Sequence, residues 1–346
     1  MIKKIPISIV GVGNLCSSLV QGIYSEGTGL LHKNLAGYKF SDIEIVAAID
    51  IDSRKVGENL SEAIFAEPNV ALKFNLGIPK TNVIVKMGDV LDGIADEVKE
   101  DIEISDKQPD DIIEEFKKGL IVLCLLPSGA DKAVKFYAGK ALKANCGFIN
   151  ATPTNLANDL EYSKKFLEKK LPLIGDDIQD QMGATILHKL ILKSMKERGI
   201  IIDESYALDV GGGLESKNSL FRSRDIKREI KSRSVTEALH IDAPIIAGTS
   251  DYVEHMNNSR NTFIWIKGKY FNSAPIMIDM KITTEDGPNG GSVLFDVIRA
   301  TYVAMLQGSS GAIKPICAFG FKNPPGQVKD PSVASRELSE FILGDI

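Results

Sequence analysis

The sequence predicts an α/β protein with a doubly wound parallel sheet and a smaller α+β domain inserted into it. Through residues 1–199, unbroken apolar runs alternate with amphipathic helical stretches, as in a parallel sheet covered by helices on both faces. From 200 to 290, apolar and polar residues alternate within runs, which is typical of half-buried strands. A long apolar helical segment then returns, so the first domain is expected to comprise 1–199 and 291–346.

The elements of the first domain follow each other regularly along the chain. Apolar runs predict strands at 5–10, 43–50, 82–88, 120–126, 146–150 and 171–177. Periodic stretches between and after them predict helices at 14–24, 53–65, 110–118, 129–144, 159–169 and 183–198. In the second domain, the segments YALDVGGG, NTFIWIKGKYF and APIMIDMKITTE are predicted to form a mostly antiparallel sheet.

The composition argues against several classes of protein. With 44% hydrophobic and 25% charged residues, the chain of 346 residues resembles ordinary globular proteins. No stretch approaches the roughly 20 apolar residues that cross a bilayer, so no membrane association is expected. The net charge of −5 argues against a nucleic-acid partner. The four cysteines and four histidines have no metal-ligand spacing, and reduced, buried cysteines indicate a cytoplasmic protein without a metal site.

A glycine motif follows the first predicted strand. Gly11 and Gly13 stand in the sequence GVGNLCS, where the strand gives way to a helix, and Ser17 takes the third small-residue position. Glycines at such a turn let a pyrophosphate approach the backbone and the helix N-terminus. The second strand ends at Asp50, where a carboxylate accepts hydrogen bonds from a ribose, and no arginine follows directly. We therefore predict that this turn, with Asn14 and Asp50, binds NAD rather than NADP.

Eight segments, including the glycine motif itself, extend the pattern along nearly the whole chain. They are GVGNLCSSLVQG, AAIDIDSRKVGENLSEAIFA, TNVIV, KFYA, LPLIGDDIQDQMGAT, VGGG, EDGPNGGSVLFDVIRA and KNPPGQ. Together they resemble the myo-inositol-1-phosphate synthase family in its shorter bacterial and archaeal form. The resemblance implies a Rossmann NAD-binding domain, with a catalytic and oligomerisation domain inserted at 200–290, in a homotetramer. It also implies conversion of glucose 6-phosphate to myo-inositol phosphate through oxidation, enolisation, aldol cyclisation and reduction.

The resemblance also assigns residues to the site. Asn150 matches a position near the nicotinamide, and Asp177 matches an acidic residue of the cofactor region. Asp286 matches an acidic residue of the active site, and Lys322 matches an active-site lysine.

At several positions the chain departs from the family's residues within the implied site. The replacements are Gln179 and Asp180 for a phosphate-binding lysine and serine, Gly213 for an asparagine, Glu215 and Asn258 each for an aspartate, and Arg224, Arg228 and Arg260 for lysines. These departures leave two alternatives open. One is a related NAD-dependent enzyme with a different sugar substrate or product, and the other is a homologue that binds NAD without catalysis.

The sequence FRSRDIKREIKSR places six cations in thirteen positions of an acidic chain. As a helix, this stretch puts Arg224, Arg228 and Lys231 on one face. An exposed ion-paired helix, a nucleic-acid patch and an anion clamp are the competing interpretations, and the match to the family's substrate segment favours the clamp. Arginine stays charged, whereas a buried lysine can lose its proton near neutral pH. Lys227 or Lys322 is therefore predicted to transfer protons, and the arginines to bind anions.

The strands predicted around 263–270 and 275–283 carry more apolar residues than one small sheet usually hides. These residues are Phe263, Ile264, Trp265, Ile266, Ile276 and Ile278. We therefore predict that one face of this sheet is buried between subunits of a symmetric oligomer.

Overall fold

The computed structural model describes residues 4–94 and 96–344. Its strands are β1 (Ile5–Val10), β2 (Asn34–Leu35), β3 (Tyr38–Lys39), β4 (Ile43–Asp50), β5 (Lys86–Met87), β6 (Ile121–Cys124), β7 (Gly147–Asn150), β8 (Pro172–Ile174), β9 (Ile201–Gly211), β10 (Ile245–Tyr252), β11 (Ser259–Lys269), β12 (Pro275–Glu285) and β13 (Gly311–Ala312). Its α-helices are α1 (Asn14–Ile23), α2 (Leu60–Ala63), α3 (Ile112–Phe116), α4 (Asp131–Ala144), α5 (Leu160–Glu168), α6 (Ala184–Glu197), α7 (Gly213–Arg222), α8 (Arg224–Leu239), α9 (Asp286–Leu306), α10 (Lys314–Gly320) and α11 (Pro331–Leu343).

Seven strands form the larger sheet, in the order β5-β4-β1-β6-β7-β8-β13. Every neighbouring pair in it is parallel, which confirms the predicted doubly wound sheet. From β1 the chain first moves outward through β4 and β5, and it then returns to the other side of β1 as β6. The carboxyl ends of β1 and β6 therefore border the crevice in which such sheets bind ligands.

Burial on both faces explains why the strands of this sheet are unbroken apolar runs. In β6, Ile121 and Leu123 pack into a cluster with α1 and α9, whereas Val122 and Cys124 pack into a separate cluster with α3 and α4. All four side chains are completely buried. Each of the chain's four cysteines is likewise buried and unpaired.

Two predicted elements are much shorter in the structure than the sequence indicated. The strand expected at 82–88 is reduced to β5, and the helix expected at 53–65 is reduced to α2. Gly57 adopts a φ of +96°, which interrupts helical geometry before α2 begins. The side chain of Asn59 then caps α2 by accepting a hydrogen bond from the N–H of Ser61 at 3.1 Å.

The second sheet has the strand order β10-β9-β11-β12. β9 and β10 are parallel, and β11 is antiparallel to both of its neighbours. On its inner face, Ala207, Ile264 and Ile266 pack in one cluster with Leu192 of α6 and Val235 of α8. The sheet lies within 200–290, the predicted second domain, but α6 from the predicted first domain packs with it.

The outer face of the second sheet is apolar and exposed. Phe263 is 41% exposed and Ile246 is 45% exposed. Trp265 stacks on Tyr206 across the strand pair, with ring centroids 5.5 Å apart. The residues expected to form a subunit contact therefore divide between faces, because Ile264 packs inside while Phe263 and Trp265 point outward.

α9 leads from the second sheet back to the first. It begins at Asp286, directly after β12, and packs against α1. A β-carbon on Gly22 of α1 would lie 2.7 Å from the ring of Phe295, so glycine permits this close approach. None of the helices in the described ranges is both long enough and apolar enough to span a membrane.

Arg299 of α9 is completely buried and fixes the loop between α1 and β4. Its guanidinium donates to the carbonyl oxygens of His32 at 2.7 Å and Tyr38 at 3.1 Å. It also pairs with Asp296, whose other oxygen lies 2.6 Å from His32 Nδ1. This buried charge pair therefore holds the loop against the first sheet's core.

Replacing Arg299 with methionine is expected to reduce the free energy of unfolding by about 3–5 kcal/mol, because it leaves the buried Asp296 carboxylate without its main partner. Urea denaturation measures this change. The matched control is Arg336→Met, since Arg336 pairs with Glu340 on the surface, and its loss should cost less than about 1 kcal/mol. Equal effects of the two substitutions would contradict the role of Arg299.

Candidate active site

A cavity opens at the carboxyl ends of β1, β4 and β6 and continues to the second sheet. We call its part around Gly11, Gly13, Asn14 and Asp50 the glycine end. Its opposite part, the charged end, is lined by Asp177, Asp180, Glu215, Lys227, Lys231, Arg260, Asp286 and Lys322. The cavity thus joins the crevice of the parallel sheet to side chains from the second sheet and its helices.

The glycine end forms a cradle around open space. Gly11 has a φ of +96°, and a β-carbon there would lie 2.8 Å from the carbonyl oxygen of Leu125. A β-carbon on Gly13 would meet no atom of the described residues within 4 Å. No side chain in the described part of the chain caps α1, so its first N–H groups remain available to an anion. Asn14 accepts a hydrogen bond from Val70 N–H at 2.8 Å and lines the same turn.

Asp50 is held beside this turn by backbone hydrogen bonds. Its carboxylate accepts from the N–H groups of Val12 at 2.7 Å, Ile51 at 2.7 Å and Asp52 at 3.0 Å. A carboxylate has about four lone-pair sites, so acceptor capacity remains for a ribose hydroxyl. Arg54, the nearest arginine in the sequence, pairs instead with Asp52 at 2.6 Å.

The other two residues assigned to the cofactor differ in their placement. Asp177 lines the cavity and adopts a φ of 63°, an uncommon conformation for a residue with a side chain. Asn150 is completely buried behind the lining, where it donates to the carbonyl oxygen of Thr154 at 2.8 Å and to Asp176 at 2.7 Å. Asn150 therefore shapes the loop after β7, whereas the lining itself includes residues 151–153.

A network of buried ion pairs connects four elements at the charged end. Asp209 of β9 lies 2.5 Å from Lys231 Nζ of α8 and 3.6 Å from Arg260 Nη1 of β11. Its second oxygen accepts the hydroxyl hydrogen bond of Thr262 at 2.5 Å. Arg260 also pairs through Nη2 with Asp286, the first residue of α9, at 2.5 Å.

Two further ion pairs complete the charged end. Glu215 of α7 lies 2.7 Å from Lys227 Nζ and accepts a hydrogen bond from the hydroxyl of Ser128 at 2.5 Å. Lys322 donates to the carbonyl oxygen of Ile178 at 2.6 Å, and its Nζ lies 3.6 Å from Asp177. These contacts join α7, α8 and the loops that follow β6 and β8.

The lysines of the charged end have different proton affinities. Burial lowers the pKa of Lys231 below the usual lysine range, and the nearby Asp209 only partly offsets this. Burial also favours a lower pKa for Lys322, but the carboxylates of Asp177 and Asp180 outweigh this effect, so that the pKa of Lys322 is raised. Lys231 therefore gives up a proton more readily than Lys322, which remains an ammonium at neutral pH.

The carboxylates and the arginine also respond to one another. Burial alone would lower the pKa of Arg260, but Asp286 and Asp209 raise it, so the guanidinium stays charged. Burial raises the pKa of Asp286, and its pairing with Arg260 limits that rise.

Three buried polar atoms in the lining lack a hydrogen-bond partner within the described part of the chain. They are Asp177 Oδ2, Asn218 Oδ1 and Arg260 Nε. Buried polar groups in folded proteins are nearly always satisfied, by protein or by a bound molecule. Two acceptors and one donor therefore remain for a polar ligand.

The basic stretch faces the cavity with different residues from those expected. Arg224 and Arg228 are exposed and lie outside the lining, whereas Lys227 and Lys231, one helical turn apart, are part of it. The inward side of α8 is set by its buried apolar residues, including Ile230. Because both lysines flank Ile230, the apolar periodicity of the stretch was the signal that could have identified them.

Three departures from the family pattern also have distinct positions. Asp180 and Glu215 line the cavity. Gly213 has a φ of +75° and begins α7 just outside the lining, while its neighbour Leu214 belongs to the lining.

Asp209 was not recognised from the sequence. It occupies an inward position of β9, in the same alternation as Ser205 and Ala207, which are also buried. A carboxylate at an inward strand position needs a buried partner, and that pattern was available in the sequence.

Known proteins are similar to this chain in sequence. The profile of the family described as Myo-inositol-1-phosphate synthase matches residues 183–287. The chain is 38% identical to a Mycolicibacterium smegmatis protein named inositol-3-phosphate synthase, and the match covers 99% of this chain and 98% of that protein. It is 36% identical, over 99% of its length and 96% of the relative's, to a Mycobacterium tuberculosis protein of the same name.

A solved structure shows the same fold. The crystal structure of a myo-inositol-1-phosphate synthase-related protein from Thermotoga maritima matches 98% of both chains, with a TM-score of 0.81 and 21% identity. The sequence identity to the two mycobacterial relatives extends over nearly the whole chain. The chain therefore belongs to the myo-inositol-1-phosphate synthase family.

Proposed function

We propose that this chain is an NAD-dependent inositol-3-phosphate synthase, an isomerase that converts glucose 6-phosphate to myo-inositol phosphate. The observation that carries the proposal is a single cavity, which joins a dinucleotide-type glycine turn to buried, paired lysine, arginine and aspartate side chains. The names of the mycobacterial relatives support the same activity.

The glycine end supports NAD as the cofactor. Among the described residues, Gly13 faces open space and no side chain caps the N-terminus of α1, and Asp50 lies beside the turn where a ribose would be bound. When bound, NAD supplies a hydride acceptor for the oxidation and a hydride donor for the final reduction, so it is regenerated in each turnover.

The charged end supports a phosphorylated sugar as the substrate. First-turn residues of α1, α7 and α9 line the cavity, and a helix N-terminus carries a partial positive charge. Lys227, Arg260 and Lys322 line the same end and present N–H donors to phosphate oxygens, although each is also paired with a carboxylate. Carboxylates placed among these cations offer hydrogen-bond acceptors to the hydroxyl groups of a sugar.

Lys231 is the group that we assign to proton transfer, rather than Lys227 or Lys322. Burial lowers its pKa and so favours loss of its proton, and the free amine can then accept the proton from the carbon beside the new carbonyl group. Asp209 stabilises the ammonium that forms, at 2.5 Å. The same proton is then returned to the oxygen that becomes a hydroxyl when the ring closes.

Arg260 and Lys322 are assigned to charge stabilisation. Both stay protonated because neighbouring carboxylates raise their pKa values against the effect of burial. Fixed cations stabilise the negative charge that develops on an enolate oxygen, and they require little reorganisation during the reaction.

A related enzyme with a different phosphorylated sugar is the second candidate. The Asp180 carboxylate favours it, because a negative charge in the lining opposes a phosphate group placed beside it.

The product of the reaction tests the proposal. The protein incubated with glucose 6-phosphate and NAD should form a cyclised inositol phosphate in NMR spectra, without accumulation of NADH. Lys231→Met should reduce kcat by about 1000-fold or more, because it removes the proton acceptor. Lys164→Met, at an exposed position of α5, should leave kcat unchanged. NADH accumulation with another sugar would support the second candidate, and binding without turnover would refute both.

Cofactor preference is expected to depend on Asp50. A 2′-phosphate beside this carboxylate would be repelled, so NADP should bind about tenfold or more weakly than NAD. Asp50→Ala should weaken NAD binding, measured by calorimetry, while Glu168→Ala on the surface of α5 should not. Equal affinities of the unaltered protein for the two cofactors would remove Asp50 from this role.

We propose that the outer face of the second sheet is buried in a homotetramer. Tyr206, Phe263 and Trp265 form an apolar surface across β9 and β11, continued by the exposed Ile246. Exposed apolar patches of this kind mark interaction sites.

Light scattering at micromolar concentration should show an assembly of the unaltered chain. Phe263→Glu should dissociate it, because a carboxylate would be buried within the apolar contact. The control Leu167→Glu places the same charge on an exposed apolar residue of α5 and should not change the mass. A monomeric unaltered chain would contradict the proposal.

A further inference from the structure

The cations of the charged end are already paired within the described residues. The pairs are Lys227 with Glu215 at 2.7 Å, Lys231 with Asp209 at 2.5 Å, Arg260 with Asp286 at 2.5 Å and Lys322 with Asp177 at 3.6 Å. Each of the four cationic side chains at the charged end is therefore already balanced by one carboxylate when a ligand enters.

Asp180 is an additional carboxylate at this end. It is half-buried and lines the cavity, and neither oxygen has a hydrogen-bond or ion-pair partner among residues 4–94 and 96–344. Its electrostatic field reaches Arg260, Lys322 and Asp286. Asp180 thus leaves the charged end with one negative charge more than its cations balance.

The position of Asp180 also fills the space in front of α6. A β-carbon on Gly183, the N-cap residue of α6, would lie 2.5 Å from Asp180 Oδ2. Asp180 Oδ1 points toward Gly290 of α9, whose β-carbon would lie 3.7 Å from it. A phosphate group brought to this place would meet a like charge, and the neighbouring cations Arg260 and Lys322 are already paired with other carboxylates, whereas hydroxyl groups would find an acceptor.

We propose that Asp180 is a specificity-determining residue, which accepts hydrogen bonds from substrate hydroxyl groups and keeps the phosphate group away from the α6 side of the cavity. The inference rests on the proposed function only in taking a phosphorylated polyol as the substrate. The role of Asp180 is tested by measuring binding. A wrong assignment of this role is therefore distinguishable from a failure of the protein to turn over glucose 6-phosphate.

Titration calorimetry on this chain with NAD tests the proposal with two probes, D-glucitol and inorganic phosphate. In Asp180→Ser, the dissociation constant for glucitol should rise about tenfold or more, because the carboxylate acceptor is lost. The dissociation constant for phosphate should fall about tenfold or more, because the repulsion is removed. Asp180→Asn keeps the shape and removes the charge, so it should reproduce the gain in phosphate affinity.

Asp89→Ser is the matched control. Asp89 is also a half-buried carboxylate of the lining without a side-chain partner in the described structure, but it lies near Tyr137, away from the charged end. Its replacement should leave both dissociation constants unchanged. Unchanged affinities in both Asp180 variants would overturn the proposal, as would an equal gain in phosphate affinity in Asp89→Ser. A loss of NAD affinity confined to the Asp180 variants would instead place this carboxylate against the cofactor and would also overturn it.

Discussion

The position of Arg260 between two carboxylates is the interaction on which the rest of the site depends. Its guanidinium lies 3.6 Å from Asp209 of β9 and 2.5 Å from Asp286, where α9 begins. Leaving a buried charge without its partner costs several kcal/mol, about 3–5 in typical cases, so β9, β11 and α9 must keep this arrangement. Because α9 packs against α1, which begins at the glycine turn, the pairing also positions the second sheet relative to the glycine end.

Burial and the carboxylates around the charged end give its lysines different chemistry. Lys231 is more easily deprotonated because burial outweighs the attraction of Asp209, whereas Lys322 keeps its proton because Asp177 and Asp180 outweigh burial. A cavity that holds both a proton acceptor and permanent cations can support proton removal and charge stabilisation together. These groups are held by ion pairs before any ligand binds, so little reorganisation is needed when charge develops.

Much of the fold was predictable because its signals are local. β6 reads as an unbroken apolar run because both of its faces are buried, and the glycine turn after β1 reads as a motif because Gly11 requires a positive φ. The end of β4 at Asp50 follows from the same pattern. The prediction from local periodicity was wrong where a turn interrupts the helix. The positive φ of Gly57 shortens the helix that was expected at 53–65.

The sequence by itself determined the parallel sheet, the glycine turn and the presence of a basic helix, since each depends on residues close together in the chain. Only the tertiary structure decided which side of that helix enters the cavity, and it chose Lys227 and Lys231 over Arg224 and Arg228. It also brought Asp209 to Lys231 from a different element. The physical reason is that a buried charge is stabilised by partners distant in sequence, and helical periodicity does not encode where those partners lie.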